Sequence, residues 1–267
     1  MQYDIVTHAD LKHVAYLQPD GWTDISEEFR DYIDNRFAYP VKLTLDHEII
    51  GVGSSMVFKH TAWIAHIIVR NDYRNRGIGT QIVDYLLSDL KQKSVQSVLL
   101  ISTELGKSLY VKAGFRHVSD YVYMKRQYPW RESPCTTHVV PYTGSYYSQV
   151  MSFDRNISGE DREALISIYL TNAWLYLDRE KLRGCYLPDL GEGMILADDP
   201  EAGTELMKIK YAKEDKAVIP SGNIAAIEFL KQNGFMETEQ KGTRMVLGKE
   251  VFWKPEGFFS RIGGNYG

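Results

Sequence analysis

Cysteine is nearly absent: only Cys135 and Cys185 occur in 267 residues. Two cysteines without metal-ligand or redox spacing exclude a disulfide-rich scaffold and a cysteine-based zinc site. Free thiols in a reducing cytoplasm are expected, with a single structural disulfide as the alternative. No apolar run approaches the length of a membrane-spanning helix, and the first residues lack the pattern of a secretory signal, so neither membrane nor export is expected. An excess of one charge is also missing. Lys and Arg number 31 against 35 Asp and Glu, a net charge of −4. Such a balance provides no overall basic field to recruit nucleic acid or an anionic membrane. The length suffices for two domains of ordinary size.

What is present begins with Arg74-Asn75-Arg76-Gly77-Ile78-Gly79-Thr80. An apolar run, Ile64-Ala65-His66-Ile67-Ile68-Val69, precedes it, and the amphipathic segment Gln81-Ile82-Val83-Asp84-Tyr85-Leu86-Leu87 follows. The order is strand, tight basic turn, helix. A helix start leaves about four N–H groups unpartnered, and its dipole favours an anion there. Gly77 and Gly79 remove Cβ atoms that would keep a phosphate from those donors. Arg70, Arg74 and Arg76 add cations suited to phosphate. Glycine turns on charged surfaces are common, so the flanking strand and helix give the motif its weight. Further on stands Leu109-Tyr110-Val111-Lys112-Ala113-Gly114-Phe115.

These two motifs together resemble the GNAT superfamily of acyl-CoA-dependent N-acyltransferases, over roughly residues 1–127. The resemblance implies a mixed, mostly antiparallel twisted sheet flanked by helices, with splayed central strands. Acetyl-CoA would be the cosubstrate. Its pantetheine would pair like an added strand with Ile67, Ile68 and Val69, and its pyrophosphate would rest on the amides of residues 74–80. Tyr110, at the position of the family tyrosine, would protonate the departing thiolate; an aromatic merely packing in the core is the alternative. A phenol of ordinary pKa near 10 can do this for a thiol near 8.5, mildly uphill. The oxyanion donor would be a main-chain N–H near Val69. An asparagine that commonly contacts pantetheine is replaced by Thr103, a departure shared with tandem bacterial GNAT proteins that carry a divergent, YitH-type C-terminal domain.

Within the first half the pattern predicts a strand Tyr3–Thr7, two helices over roughly 8–36, and strands Val41–Leu45, Ile49–Phe58 and Thr61–Val69. Then come a helix over 80–92, a strand Val95–Ser102, a helix over 104–113, and strands Phe115–Val118 and Tyr121–Arg126. Pro129, Pro134 and Pro141 mark a linker. The second half repeats the later order. It has a strand Met194–Ala197, a helix Pro200–Lys213, a short strand at Val218-Ile219, a helix Asn223–Asn233 and a strand Arg244–Leu247. Phe229–Phe235 mirrors Leu109–Phe115. Duplication of one domain is the economical account: α/β architecture, two tandem GNAT folds, over 1–130 and 141–267 with a linker at 131–140. Ser158-x-x-Asp161 resembles a capping box, predicting a helix there that carries Leu165, Ile168, Tyr169, Trp174 and Leu175.

The second turn, Asp198-Asp199-Pro200-Glu201-Ala202-Gly203-Thr204-Glu205, has four carboxylates and no cation before Lys208. It should repel a pyrophosphate, and Leu230 stands where the phenol should be. The first half is therefore expected to be catalytic. The second is expected to be a degenerate copy that completes an acceptor cleft or a dimer surface. No metal is expected. The base is open. Trp63 and Val98 occupy the positions where relatives often carry glutamate, strand alternation points His66 away from Trp63 and Ala65, and Glu104 is a further candidate. Tyr16, Trp22, Asp24, Tyr32 and Tyr39 could line the acceptor mouth, while Phe29 and Tyr32 at helical spacing also suit a core. The expected function is transfer of an acetyl group to a primary amine, on a small molecule or a peptide. A non-catalytic acyl-CoA-binding or sensing protein is the alternative.

Overall fold

The computed structural model describes residues 1–19, 21, 22, 24–130 and 135–267; Pro134 and the start of the expected linker lie outside the described residues. The first half opens with β1 (Gln2–Ile5), α1 (Leu11–Ala15) and α2 (Ile25–Asp34). Asp24 caps α2 by accepting the Ser26 N–H at 2.9 Å, and Ile25, Phe29 and Tyr32 turn one face of the helix into the core. Then come β2 (Ala38–Leu45), β3 (Glu48–Phe58), β4 (Thr61–Val69), α3 (Ile78–Gln92), β5 (Ser97–Ser102), α4 (Glu104–Lys112) and β6 (Arg116–Arg126).

The second half begins with β7 (Val139–Pro141), α5 (Tyr147–Ser158) and α6 (Glu163–Ile166). A hairpin of β8 (Trp174–Asp178) and β9 (Lys181–Leu187) leads to β10 (Met194–Ala197). α7 (Pro200–Tyr211), β11 (Lys216–Pro220), α8 (Ile224–Gln232), β12 (Phe235–Gly248) and β13 (Phe258–Ser260) complete the order. The strands form an eight-stranded sheet, β1-β2-β3-β4-β5-β12-β6-β11, and a five-stranded sheet, β13-β10-β9-β8-β7. Among the described residues every pairing is antiparallel except β4 with β5.

The strand order reveals an exchange between the halves. β12 inserts between β5 and β6, pairing Thr243 with Ser102 on one side and with Asp120 on the other. β6 in turn pairs with β11 of the second half, from Lys125↔Lys216 to Tyr121↔Pro220. Each half thus gives its last long strand to the other. The two strands expected over Phe115–Val118 and Tyr121–Arg126 are instead one continuous strand, which pairs along its length with β12, more than a hundred residues away. The short strand Arg244–Leu247 is likewise part of a 14-residue strand. Its Phe235, Met245 and Val246 are 2% exposed or less, each contributing roughly 1.5–3 kcal/mol through burial.

The helix expected to start at Ser158 ends there. Gly159 sits at φ 74°, the left-handed position that stops a helix, and its N–H bonds the Arg155 carbonyl. The Ser158 hydroxyl accepts the Glu160 N–H in a turn rather than capping a new helix. Trp174 and Leu175 accordingly lie on β8, and Ile168 is exposed. Beyond the turn, Glu160 crosses to the first half. Its carboxylate accepts the Thr61 hydroxyl and the Trp63 indole N–H, each at 3.0 Å, and lies 3.8 Å from the Arg244 guanidinium. Burial pushes the Glu160 carboxyl up against the pull of Arg162 and Arg244. Removing any one partner would strand a buried charge.

Candidate functional site

β4 and β5 run side by side for only three rungs, Thr61↔Ser97, Ala62↔Val98 and Trp63↔Leu99. Beyond Trp63 the strands diverge. β4 keeps its other edge on β3, through Val52↔Ile68 and Gly51↔Val69. The edge of Ile67, Ile68 and Val69 that faces β5 therefore has no strand partner, and it forms one wall of an open groove. Ile67 and Val69 pack with Leu109 and Tyr110 in the apolar cluster that holds α3, while Ile68 faces the opposite cluster.

At the end of this groove lies the basic turn. Gly77 takes φ 77°, a conformation costly for other residues, and starts α3 without a side-chain cap. Among the described residues, no protein acceptor receives the N–H groups of Arg76, Gly77, Ile78, Gly79 or Thr80. Buried Ile78 anchors the first turn, and a Cβ on Gly79 would lie 3.0 Å from Leu109, so α4 sits against the helix start. Asn75 stands at φ 60° on the exposed outer turn. Arg74 folds back, its Nε donating to the Val69 carbonyl at 3.0 Å, and exposed Arg76 lies near the Tyr73 ring. Arg70 does not join them. Its guanidinium is held by Asp72 at 2.8 Å and Glu48 at 2.7 Å, which cancels the charge the sequence suggested. Five unpaired donors and an unpaired strand edge fit the diphosphate and pantetheine of coenzyme A.

Tyr110 lies on α4, half-buried, its ring edge-on to Phe115 with 5.8 Å between centroids. Burial pushes its phenol well above the ordinary value, so it is protonated at any physiological pH. Thr103 caps α4, its hydroxyl accepting the Gly106 N–H at 3.3 Å. Glu104 is exposed in the first turn, Val98 is buried under α3, and the Trp63 indole is committed to Glu160.

His66 departs from the expected direction. Two residues, His66 and Ile67, oppose Gly53 alone, and His66 has φ 52°. This bulge breaks alternation and turns the imidazole to the Trp63–Ala65 face. There it meets Phe29 and Trp22 edge-on and bonds the Tyr32 hydroxyl through Nδ1 at 2.8 Å. Burial lowers its pKa to about 4. Tyr32 also receives the side-chain amide of Asn265 at 2.9 Å, and Tyr266 packs on Tyr32, Phe37 and Phe58. Of the residues suggested for an acceptor mouth, Trp22 and Tyr32 converge here. Tyr16 is solvent-exposed, Asp24 is a helix cap, and Tyr39 lies under Lys93. The segment carrying Asn265 and Tyr266 had no signal in the sequence, because only the fold brings it to α2.

Among the described residues, the strand before α7 in the second half has both edges paired. β13 pairs with β10, Leu196↔Phe258 and Ile195↔Ser260, on the edge away from β9. Asn223 caps α8 through the Ala226 N–H and donates its amide to the Phe258 carbonyl at 3.0 Å. Phe259 covers Gly203, where a Cβ would lie 2.4 Å from the ring. Asp199 accepts two N–H groups at the start of α7. Arg183 on β9, a cation not apparent from the local sequence, pairs with Asp198 and Asp199. What remains is a cavity of about 440 Å³ lined by Asp198, Asp199, Asn223 and Phe259 among others. Cys185 is buried on β9 and Cys135 is exposed; both are free thiols.

Residues 11–126 match the model of the acetyltransferase (GNAT) domain. A Pyrococcus horikoshii protein provisionally assigned as an acetyltransferase superposes with a TM-score of 0.83 at 20% identity, covering 100% of this chain and 95% of its own. A GCN5-related N-acetyltransferase from Sphaerobacter thermophilus gives 0.62 at 14% identity, covering 95% and 98%. One from Anabaena variabilis gives 0.58 at 12%, covering 92% and 72%. These likenesses concern the fold. No curated protein matches significantly. The groove and the basic turn thus lie in the first half, within the segment, residues 11–126, that matches the GNAT acetyltransferase domain model.

Proposed function

We propose that the protein transfers an acetyl group from acetyl-CoA to a primary amine, by direct attack in a ternary complex in the first half. The amides of residues 74–80, with Arg74 and Arg76, would grip the diphosphate. The unpaired edge at Ile67, Ile68 and Val69 would hold the pantetheine, and Thr103 would border it from the start of α4. Acetyl-CoA supplies the activated acyl group. The chain's own contribution is to hold it, to exclude water and to return a proton.

Tyr110 is assigned that proton return. Its raised pKa makes a phenol a weaker acid, yet a thiolate expelled into the same apolar surroundings is destabilised by the same burial. The proton-transfer balance is thereby kept near that of the unperturbed groups. The observation that carries the proposal is the set of five unpartnered amides at the end of a splayed strand pair.

The test is a panel of amines assayed with acetyl-CoA on wild type and on Tyr110→Phe. Turnover should fall about 100-fold or more in the variant, within the range of general acid catalysis, while coenzyme A affinity stays unchanged. Tight coenzyme A binding with no transfer to any amine would favour an acyl-CoA-binding protein instead. Unchanged turnover in Tyr110→Phe would remove Tyr110 from the mechanism.

A further inference from the structure

Hydrogen-bond accounting fixes the state of His66. Asn265 donates to both the Tyr32 hydroxyl, at 2.9 Å, and the Glu28 carboxylate, at 3.1 Å. Tyr32 oxygen is thus already an acceptor, and the one remaining bond it makes among the described residues is to His66 Nδ1, at 2.8 Å. A phenol has a single proton to give. Were Nδ1 the donor instead, the Tyr32 proton would be buried without an acceptor, in a side chain 1% exposed. Tyr32 therefore donates, Nδ1 accepts, and the proton of a neutral imidazole resides on Nε2. That nitrogen bonds no protein group among the described residues, and His66 as a residue is partly exposed.

Position gives this state a consequence. The basic turn lies beyond one end of β4, and the vertex of the splay lies at Trp63. A thioester joined to a diphosphate at residues 74–80 would reach back past Val69, Ile68 and Ile67 towards His66. Thr61, Trp63 and His66 are the polar side chains of β4, and the first two are bound to Glu160. The groups packed on the imidazole are Trp22 before α2, Phe29 and Tyr32 on α2. Glu28 lies one hydrogen bond further off, through Asn265, and Tyr266 packs behind Tyr32. None of these places a cation or a carboxylate directly against the ring.

We propose that the C-terminal segment completes the acceptor site of the first half. Asn265, acting through the Tyr32 hydroxyl, holds His66 as an Nε2–H donor that hydrogen-bonds the amine acceptor and does not take its proton. Asn265 and Tyr32 are positioning residues, and His66 is the group that touches the acceptor. The inference rests on the acyl-transfer reading, but its first test does not. The burial that keeps His66 uncharged near neutrality agrees with it.

The experiment is nitrogen-15 NMR of the full chain labelled at histidine, with the His66 signals identified by their loss in His66→Gln. Wild type at neutral pH should show Nδ1 unprotonated and Nε2 protonated. In Asn265→Leu and in Tyr32→Phe, the two tautomers should mix; Asn265→Gln, which keeps an amide donor, should restore part of the bias. With an acceptor found in the amine panel, Asn265→Leu should raise acceptor KM about 3- to 10-fold, the scale of one hydrogen bond, without altering coenzyme A affinity. The kcat/KM profile should show no limb near pH 6.5 that His66→Gln abolishes. A protonated Nδ1 in wild type, an unchanged tautomer in both Asn265→Leu and Tyr32→Phe, or a His66-dependent basic limb would overturn the assignment. Absence of coenzyme A binding would count against acyl transfer and leave the tautomer result standing.

Discussion

Gly77 isolates the backbone contribution to the proposed anion site. Its φ is 77°, and a Cβ built there would meet nothing within 4 Å. Gly77→Ala therefore adds no clash, and its whole effect is the cost of a left-handed conformation, about 1–2 kcal/mol for an L-residue. That cost can surface in two places. If the turn relaxes when free, the strain must be restored on binding, and coenzyme A affinity should fall about 5- to 30-fold. If the turn is held rigidly, the melting temperature should drop by about 2–8 °C for a chain of this size. Calorimetric titration with coenzyme A and a thermal melt on the same samples read both. Gly77→Asn should lose less, since asparagine enters this region more readily, as Asn75 does at φ 60°. Gly79→Ala is the contrasting case, because its methyl would press on the end of the Leu109 side chain, at 3.0 Å, and touch Val69 at 3.9 Å. An unchanged affinity and an unchanged melt in Gly77→Ala would refute the claim that this turn presents its amides in a glycine-dependent geometry.

Phe259 is 1% exposed, lies against Gly203 and lines the cavity of the second half. Phe259→Ala should cost about 3–5 kcal/mol and lower the melting temperature by about 6–20 °C. Coenzyme A should still saturate at one equivalent per chain, and a second equivalent would show that the second half is competent once opened. His66 contributes to pH dependence with a definite sign. Its folded pKa is about 4 against 6.5 for the ordinary group, so the unfolded chain binds more protons between those values. Stability from this group is present above pH 6.5 and lost as pH falls towards 4, by about 3 kcal/mol in order of magnitude. Denaturant unfolding of wild type and His66→Phe across that window measures the difference, and equal slopes would remove His66 as the cause.

The first half was legible because its signals are local. Thr61–Val69 is a largely apolar run entered through the Lys59-His60 turn, and the observed strand has those same limits. Arg74–Thr80 carries its own punctuation, and α3 begins within it at Ile78. The sequence misled where a partner came from far away and where a local signal was read without its neighbours. Nothing near Tyr121 announces β12, because pairing partners in sheets leave no mark on one another's spacing. Ser158 carried a capping pattern that served a turn, since the chain had already been helical for eleven residues before it. His66 defeated alternation through a bulge, which inserts one residue without changing composition. Arg70 looked like a phosphate ligand until Asp72 and Glu48 were seen beside it.

The exchange of β6 and β12 bears on how the two halves can be used experimentally. A chain cut after residue 130 would keep β5 and β6 but lose the strand between them. Thr243–Gly248 could no longer cover the edge of β5, and the Glu160 carboxylate would no longer meet Trp63 and Thr61. One unpaired edge on β5, two on β6 and an exposed apolar face favour aggregation over folding. Failure of such a fragment to acetylate would thus say nothing about where the acceptor binds, and point substitutions in the full chain are the better instrument. The same topology lets the second half reach the proposed acceptor site. β13 lies in its own slot as a strand. The residues that follow it leave the five-stranded sheet, and Asn265 and Tyr266 arrive at α2 and His66. Loosening β13 should therefore be felt at the acceptor side of the first half rather than at its diphosphate turn.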